Sequence, residues 1–364
     1  MSFITHTLTA LFMGYLAMTN TLADHILAVL GSADTDTTTP PQQSGTLRPL
    51  PSLFAHNLLI PDILLQSSAY QAAAVADSET LLWQTTTDPL AAIVNIYCTS
   101  ITSKQIRTTT GSGFFVHPSG VVLTNAHVAQ FLLLERTGVF GDTSCIVRTG
   151  NPAAPRYHAE LLYIPPAWVE ANANLIANKA PTGTGERDYA LLYVTRTIDE
   201  SPLPAVFPAL AIDATPLTKR VTDAPVVAAG YPAGAMLRGG SDTDLFQHQA
   251  SSSISELYTF TTNRADVIAL RGSSMGEQGA SGGPIINVDG AVIGMITTRG
   301  DDATDGVGSL RAITMTHVNT TITEETGVSL RTNLASDVPK RATIFTSTMA
   351  PFLTSQLVKA LTPH

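Results

Sequence analysis

The chain has 364 residues, enough for two domains or for one large all-β unit with extensions, and it can bury a sizeable core. A charged fraction of 13 % beside a hydrophobic fraction of 44 % excludes disorder throughout. A formal net charge of −9, with no basic stretch that reverses it locally, argues against a nucleic-acid binder.

The first residues read as a targeting segment. An apolar run, Leu8 to Met18, is followed by small residues at Thr21-Leu22-Ala23, where a signal peptidase would cut. The usual basic start is missing, because Arg48 is the only Lys or Arg in residues 1–103. Neither this run nor Ile26 to Leu30 reaches the roughly 20 apolar residues that span a bilayer. Residues 1–31 are therefore expected to be a signal peptide or an apolar segment giving loose membrane association, and the protein to be exported to periplasm, envelope or medium.

Residues 32–52 are rich in Thr, Asp, Pro, Gln, Ser and Gly and read as a linker. From Leu53 to Trp83 the spacing of Tyr70, Ala73, Ala74 and Asp77 predicts one or two short helices, so 32–88 is linker plus short helices.

From residue 89 the pattern changes to short β-rich runs bounded by turn residues. Val94–Cys98, Gly113–Val116, Val121–Thr124, Cys145–Val147, Tyr157–Ile164 and Ala190–Val194 predict six strands and one barrel, over about 89–200. His117-Pro118-Ser119-Gly120 is the type I turn of a hairpin. A second set follows over about 201–326: Leu210–Ile212, Pro225–Ala229, Phe246–Ile254, Val267–Leu270, Ile285–Val288, Ala291–Ile296 and Arg311–Met315. Residues 327–364 read as a polar tail with one short helix near Phe352 to Leu361.

Three points carry chemistry. Gly276-Glu277-Gln278-Gly279-Ala280-Ser281-Gly282-Gly283-Pro284 flanks a serine with glycines, which lets the backbone turn sharply and present the hydroxyl beside neighbouring N–H groups. His127 follows the strand ending at Thr124, and Asp188 immediately precedes the run from Ala190. Alone, each has a bland reading as a surface turn, one of nine histidines, or a strand cap. The serine loop also fits the nucleophile elbow of an α/β-hydrolase, with Asp301 or Asp302 and His317 downstream, but the elbow needs a helix directly after the serine. Pro284 and the turn Asp289-Gly290 argue for a hairpin there.

Taken together, Gly111-Ser112-Gly113-Phe114-Phe115-Val116, Leu123-Thr124-Asn125-Ala126-His127-Val128, Asp188-Tyr189-Ala190-Leu191-Leu192 and Gly279-Ala280-Ser281-Gly282-Gly283-Pro284 resemble the trypsin-like serine endopeptidases. They are most similar to the bacterial heat-shock and periplasmic branch, as is Gly230-Tyr231-Pro232-Ala233-Gly234, over roughly residues 90–325. The resemblance implies an all-β fold of two six-stranded antiparallel Greek-key barrels at 89–326, the active site between them, with short N- and C-terminal helical extensions. It implies a catalytic triad of His127, Asp188 and Ser281, an acyl-enzyme intermediate, and an oxyanion hole from the amides of Gly279 and Ser281. Protein or peptide substrates follow, with no cofactor, no metal and no nucleic acid; the oligomeric state is left open.

By the same register Met275, Gln278, Thr297, Thr298 and Arg299 border the pocket for the residue before the cleaved bond. Met275 stands where a trypsin would have an acid, so a small or medium apolar residue is expected, with Arg299 and Glu277 as the residues that could overturn this. The two cysteines are free thiols in a reducing compartment or one disulfide in an oxidising one. The resemblance places Cys98 and Cys145 on the first and fourth strands, which pair, and so implies a disulfide. The tail is too short for the branch's PDZ domain, so none is expected. Ala280 stands where digestive trypsins carry the aspartate that pairs with a new N-terminus, so activation by that ion pair is not expected, and residues 32–88 remain as a candidate inhibitory segment. The competing readings are a protease-fold binding module without catalysis and an α/β-hydrolase esterase.

Overall fold

The computed structural model describes residues 47–52, 54, 63–75, 83–102, 106–135, 137–139, 141–176, 185–234, 236, 244–260, 264–272, 275–299 and 309–361. The expected targeting segment, most of the linker and the pair Asp301-Asp302 lie outside these residues.

Strand β1 (Arg48–Pro49) and helices α1 (Ile63–Gln66) and α2 (Ser68–Val75) come first. Tyr70, Ala73 and Ala74 form the buried face of α2, as their spacing predicts. After α3 (Pro89–Ala92) the first barrel is built from β2 (Ile93–Ile101), β3 (Ile106–His117), β4 (Val121–Thr124), β5 (Asp142–Thr149), β6 (Ala154–Tyr163) and β7 (Ala190–Thr197). The second uses β8 (Pro225–Gly230), β9 (His248–Thr259), β10 (Val267–Leu270), β11 (Pro284–Ile286), β12 (Val292–Arg299) and β13 (Leu310–Thr314).

Barrel one closes in the order β2-β3-β4-β7-β6-β5 and barrel two in the order β8-β9-β10-β13-β12-β11. Both therefore follow the same path, first, second and third strand, then sixth, fifth and fourth, with every neighbour antiparallel. Closure leaves no free barrel edge. β1 adds to the outside of barrel two, parallel to β9. The β3–β4 hairpin turns as expected, with the Gly120 N–H donating to the His117 carbonyl at 3.0 Å and Gly120 at φ 92°.

Cys98 and Cys145 face each other across β2 and β5 and form a disulfide. They are 47 positions apart, and the closed loop stabilises the barrel by about 4 kcal/mol in chain-entropy terms.

Three expectations change. Leu210–Ile212 is not a strand of the second barrel. This proline-rich connector is tied to both barrels, Leu210 N–H to the Phe115 carbonyl and Asp213 N–H to the Val292 carbonyl, both at 2.9 Å. The C-terminal region is not a polar tail with a short helix. After α6 (Met315–Thr326) and α7 (Leu330–Leu334), α8 runs from Val338 to Leu361 with Pro351 inside it. Val338, Arg341, Ala342, Phe345, Met349, Leu353 and Leu357 form its buried stripe, at helical spacing, and it packs on β6, α2 and α5 (Pro166–Asn172). Finally, Pro284 opens strand β11 and not a helix, and the sheets are antiparallel barrels, so the α/β-hydrolase reading is overturned. Among the described residues no helix is long and apolar enough to cross a membrane.

Candidate active site

At the end of β4, Asn125 stays extended (φ −78°, ψ 151°) and the chain then turns into the four-residue helix α4 (Ala126–Ala129). This abrupt change carries His127 off the barrel wall. Asp188 reaches it from the turn before β7, where the Asp188 N–H donates to the Gly185 carbonyl at 3.2 Å. Its carboxylate receives two bonds from one residue: His127 Nδ1–H to Oδ2 at 2.7 Å and the His127 backbone N–H to Oδ1 at 2.9 Å. Asn125 Nδ2–H donates to the Asp188 carbonyl at 2.8 Å. Two bonds from different parts of His127 fix both ring plane and tautomer, because a carboxylate only accepts and Nδ1 must carry the proton. The Asp188 side chain is 6 % exposed and that of His127 20 %, so the ring meets solvent while its partner does not.

Ser281 belongs to barrel two. Its loop is held by positive-φ glycines at Gly279 (φ 94°) and Gly282 (φ 89°). At Gly282 a Cβ would stand 2.0 Å from the Ser112 carbonyl oxygen, so only glycine lets the serine loop approach the other barrel this closely. The Ser112 N–H donates to the Ser281 carbonyl at 2.7 Å, and Ser112 Oγ donates to the Gly279 carbonyl at 2.6 Å. The Gln278 carbonyl accepts the Ala233 N–H at 2.6 Å. In a trans peptide C=O and N–H oppose each other, so that bond turns the Gly279 N–H the other way. Ser281 Oγ itself donates to the Thr297 carbonyl at 3.4 Å.

His127 and Ser281 line one cleft of about 450 Å³ together with Gly279, Met275, Gln278, Thr297 and Thr298, so the structure brings these expected residues together. Asp188 lies behind His127. The side chain of Arg299 lies outside the described residues; its backbone ends β12. Met275 is fully buried, and Ile296 and Leu310 join it, an apolar set suited to an apolar side chain. Barrel one adds Val128, from the histidine motif, and Arg107 to Thr110, Gln130 and Phe131, which no motif marked. Burial lowers the Arg107 guanidinium from its usual value. Among the described residues no group of three or more His, Cys, Asp or Glu could hold a metal ion.

Ser112 and His317 escaped sequence reasoning in different ways. Ser112 sat inside a quoted motif with no role attached, and its tie to barrel two spans 167 positions. His317, the base of the discarded hydrolase reading, is buried at the start of α6 against Asp266.

A family model for the trypsin-like peptidase domain matches residues 111–295, half of the chain. No curated protein matches. Among solved structures, the active form of the Rv3671c protease from M. tuberculosis is similar, at 20 % identity over 82 % of this chain and 96 % of that one, with a TM-score of 0.40. Its inactive form is similar at 22 % identity over 65 % of this chain and 89 % of that one, with a TM-score of 0.37.

Proposed function

The chain belongs to the trypsin-like peptidase family and is a protease; on that premise we propose that it is a serine endopeptidase in which Ser281 attacks the substrate carbonyl, His127 is the general base and Asp188 orients it. The observation that carries this reading is the pair of hydrogen bonds from His127 to Asp188, with His127 and Ser281 lining one cleft. A serine hydroxyl is a poor nucleophile near neutral pH. With Nδ1–H committed to Asp188, Nε2 is left to take the Ser281 proton once the hydroxyl leaves the Thr297 carbonyl.

The attack forms a tetrahedral adduct whose oxygen is received by the amides of Gly279 and Ser281, where one donor is worth roughly 3–4 kcal/mol. His127 then gives the proton to the leaving amine, an acyl-enzyme forms on Ser281, and water releases it by the reverse sequence. Asp188 stays ionised throughout and stabilises the imidazolium. Substrates are proteins or peptides; the pocket of Met275, Thr297 and Thr298 with Ile296 and Leu310 favours a small or medium apolar residue before the cleaved bond.

The reading includes an exported protein, with residues 89–326 as the protease domain; the disulfide supports an oxidising compartment. The test is labelling with a fluorophosphonate, followed by digestion of a peptide library. Labelling and cleavage that vanish in both Ser281→Ala and His127→Ala support the assignment; cleavage that persists in either at the parent rate overturns it.

A further inference from the structure

The chain carries a second histidine–aspartate pair, outside the cleft. His317 is 4 % exposed and Asp266 2 %. His317 Nδ1 stands 3.1 Å from Asp266 Oδ1, and Nε2 accepts the backbone N–H of Arg187 at 3.1 Å. A backbone N–H can only donate, so Nε2 is unprotonated and the ring proton sits on Nδ1, toward Asp266. Asp266 is itself fixed: its other oxygen accepts the Phe260 N–H at 3.0 Å and the Thr259 hydroxyl at 3.1 Å, and Arg264 lies 3.6 Å away. Burial alone would raise the Asp266 carboxyl, but these partners, His317 first, hold it below the usual carboxylate range.

Arg187 is the residue before Asp188. It has φ 58°, a left-handed conformation that a non-glycine residue keeps only where its surroundings over-determine it. Helix α6 supplies those surroundings. His317 takes the Arg187 N–H; Glu325 and Glu324 take its guanidinium; and Thr321 donates to the hydroxyl of Tyr189, the residue after Asp188, at 2.9 Å. The Arg187 side chain is 15 % exposed and Tyr189 is fully buried. Both neighbours of the acid are thus pinned to one helix that follows the last strand of barrel two.

We propose that His317 is a positioning residue for the reaction: by accepting the Arg187 N–H it fixes the turn that aims the Asp188 carboxylate at His127. The inference rests on the assignment of His127, Asp188 and Ser281 above. Losing the acceptor lets the Glu186–Arg187 peptide relax, and with it the turn that leads into Asp188; a displacement of about 1 Å in a reacting constellation costs on the order of 100-fold in rate. Neither His317 nor Arg187 lines the cleft, so substrate binding is spared.

Two substitutions separate the two ring nitrogens. In His317→Asn the amide reaches Asp266 but not Arg187; in His317→Gln the longer side chain brings its carbonyl oxygen to the Arg187 N–H. With an acylated tripeptide anilide ending in valine as the probe, His317→Asn is expected to lower kcat about 100-fold with KM little changed. Its acidic limb of kcat/KM should move to lower pH, because a misplaced carboxylate stabilises the His127 imidazolium less. His317→Gln should recover most of the rate and the limb. Glu325→Gln, which loosens the same turn through the Arg187 side chain, is read for the same signature should His317→Asn not fold. Parent kcat and limb in the folded variant, with activity lost in Asp188→Asn, overturn the proposal alone. Activity retained in Asp188→Asn overturns the triad reading and this proposal with it.

Discussion

The Ser112 hydroxyl, on β3 of the first barrel, donates to the carbonyl of Gly279, in the serine loop of the second, at 2.6 Å. The same oxygen accepts the Tyr231 N–H at 2.8 Å, and Ser112 is fully buried. Its backbone N–H meanwhile holds the Ser281 carbonyl, so one small residue grips the loop on both sides of Ala280. Ser112→Ala leaves a buried N–H and a buried carbonyl without their partner, at roughly 1–3 kcal/mol each. We expect a lower urea midpoint and, in the folded fraction, slower fluorophosphonate labelling, because the Gly279–Ala280 peptide that leads into Ser281 is no longer held. An unchanged midpoint with unchanged labelling would show that the hydroxyl holds nothing.

The Cys98–Cys145 disulfide ties the pair of strands that closes barrel one, and both cysteines are buried. In Cys98→Ala/Cys145→Ala the unfolded chain regains the freedom of the closed loop, and stability should fall by about 4 kcal/mol. Urea unfolding of parent and double variant measures the difference. A loss well under 1 kcal/mol would contradict the loop-entropy account.

How much of this was legible depended on range. β10 was read residue for residue from Val267 to Leu270, because a short apolar run between turn residues is a local signal. A second barrel is legible from the other runs, but the path it shares with the first comes only from the observed strand pairings. Only the end of α8, Phe352 to Leu361, is legible in the sequence, because Thr and Ser fill the exposed face of the rest and Pro351 interrupts it, which hides a stripe at regular spacing from Val338 to Leu357. The residues that aim the chemistry are a different case. Arg187 and His317 are 130 positions apart, and nothing in the neighbourhood of either announces the other; only closure of two barrels and the docking of α6 brings them together. Motif spelling reached His127, Asp188 and Ser281, whereas their supports are relations between distant backbone groups.

His117 gives the fold an acid-side weakness. Its ring stands edge-on to Trp83 at 4.5 Å, and its Nδ1 accepts the Ser119 N–H at 3.3 Å. Burial takes it down from 6.5 to about 4. The folded ring therefore stays neutral between those values while the unfolded ring takes a proton. Its contribution to stability is complete above pH 6.5 and is lost as pH falls to about 4. His117→Gln should remove that slope, so the stability difference between parent and variant should shrink or reverse across this window and be flat above it. Urea midpoints measured at several pH values decide; a difference independent of pH would sink the idea.

The described N-terminal residues brace the protease and do not fill its cleft. None of residues 47–52, 54 or 63–75 lines the cavity that holds His127 and Ser281. Instead β1 pairs with β9, Ser52 donates to Glu186 at 2.8 Å, and Phe54 lies 5.2 Å from the Arg187 guanidinium. Farther on, Gln71 donates to the Thr326 carbonyl at 2.8 Å and the Ala73 carbonyl accepts the Asp337 N–H at 3.1 Å. Tyr70 is central. Fully buried, it accepts from the Arg341 guanidinium at 2.5 Å and lies under it at 4.7 Å, and Arg341 is also fully buried. Removing the ring leaves a cavity and a buried cation short of a partner, so Tyr70→Ala should cost roughly 3–5 kcal/mol. Ala280, uncharged and buried, offers no ion pair to a new N-terminus. Protein beginning at Thr85 should therefore melt earlier than protein beginning at Thr46, with kcat/KM per labelled Ser281 no higher. A large gain on truncation would revive an inhibitory segment; a gain that disappears when one residue is added in front would show instead that a free N-terminus orders the site.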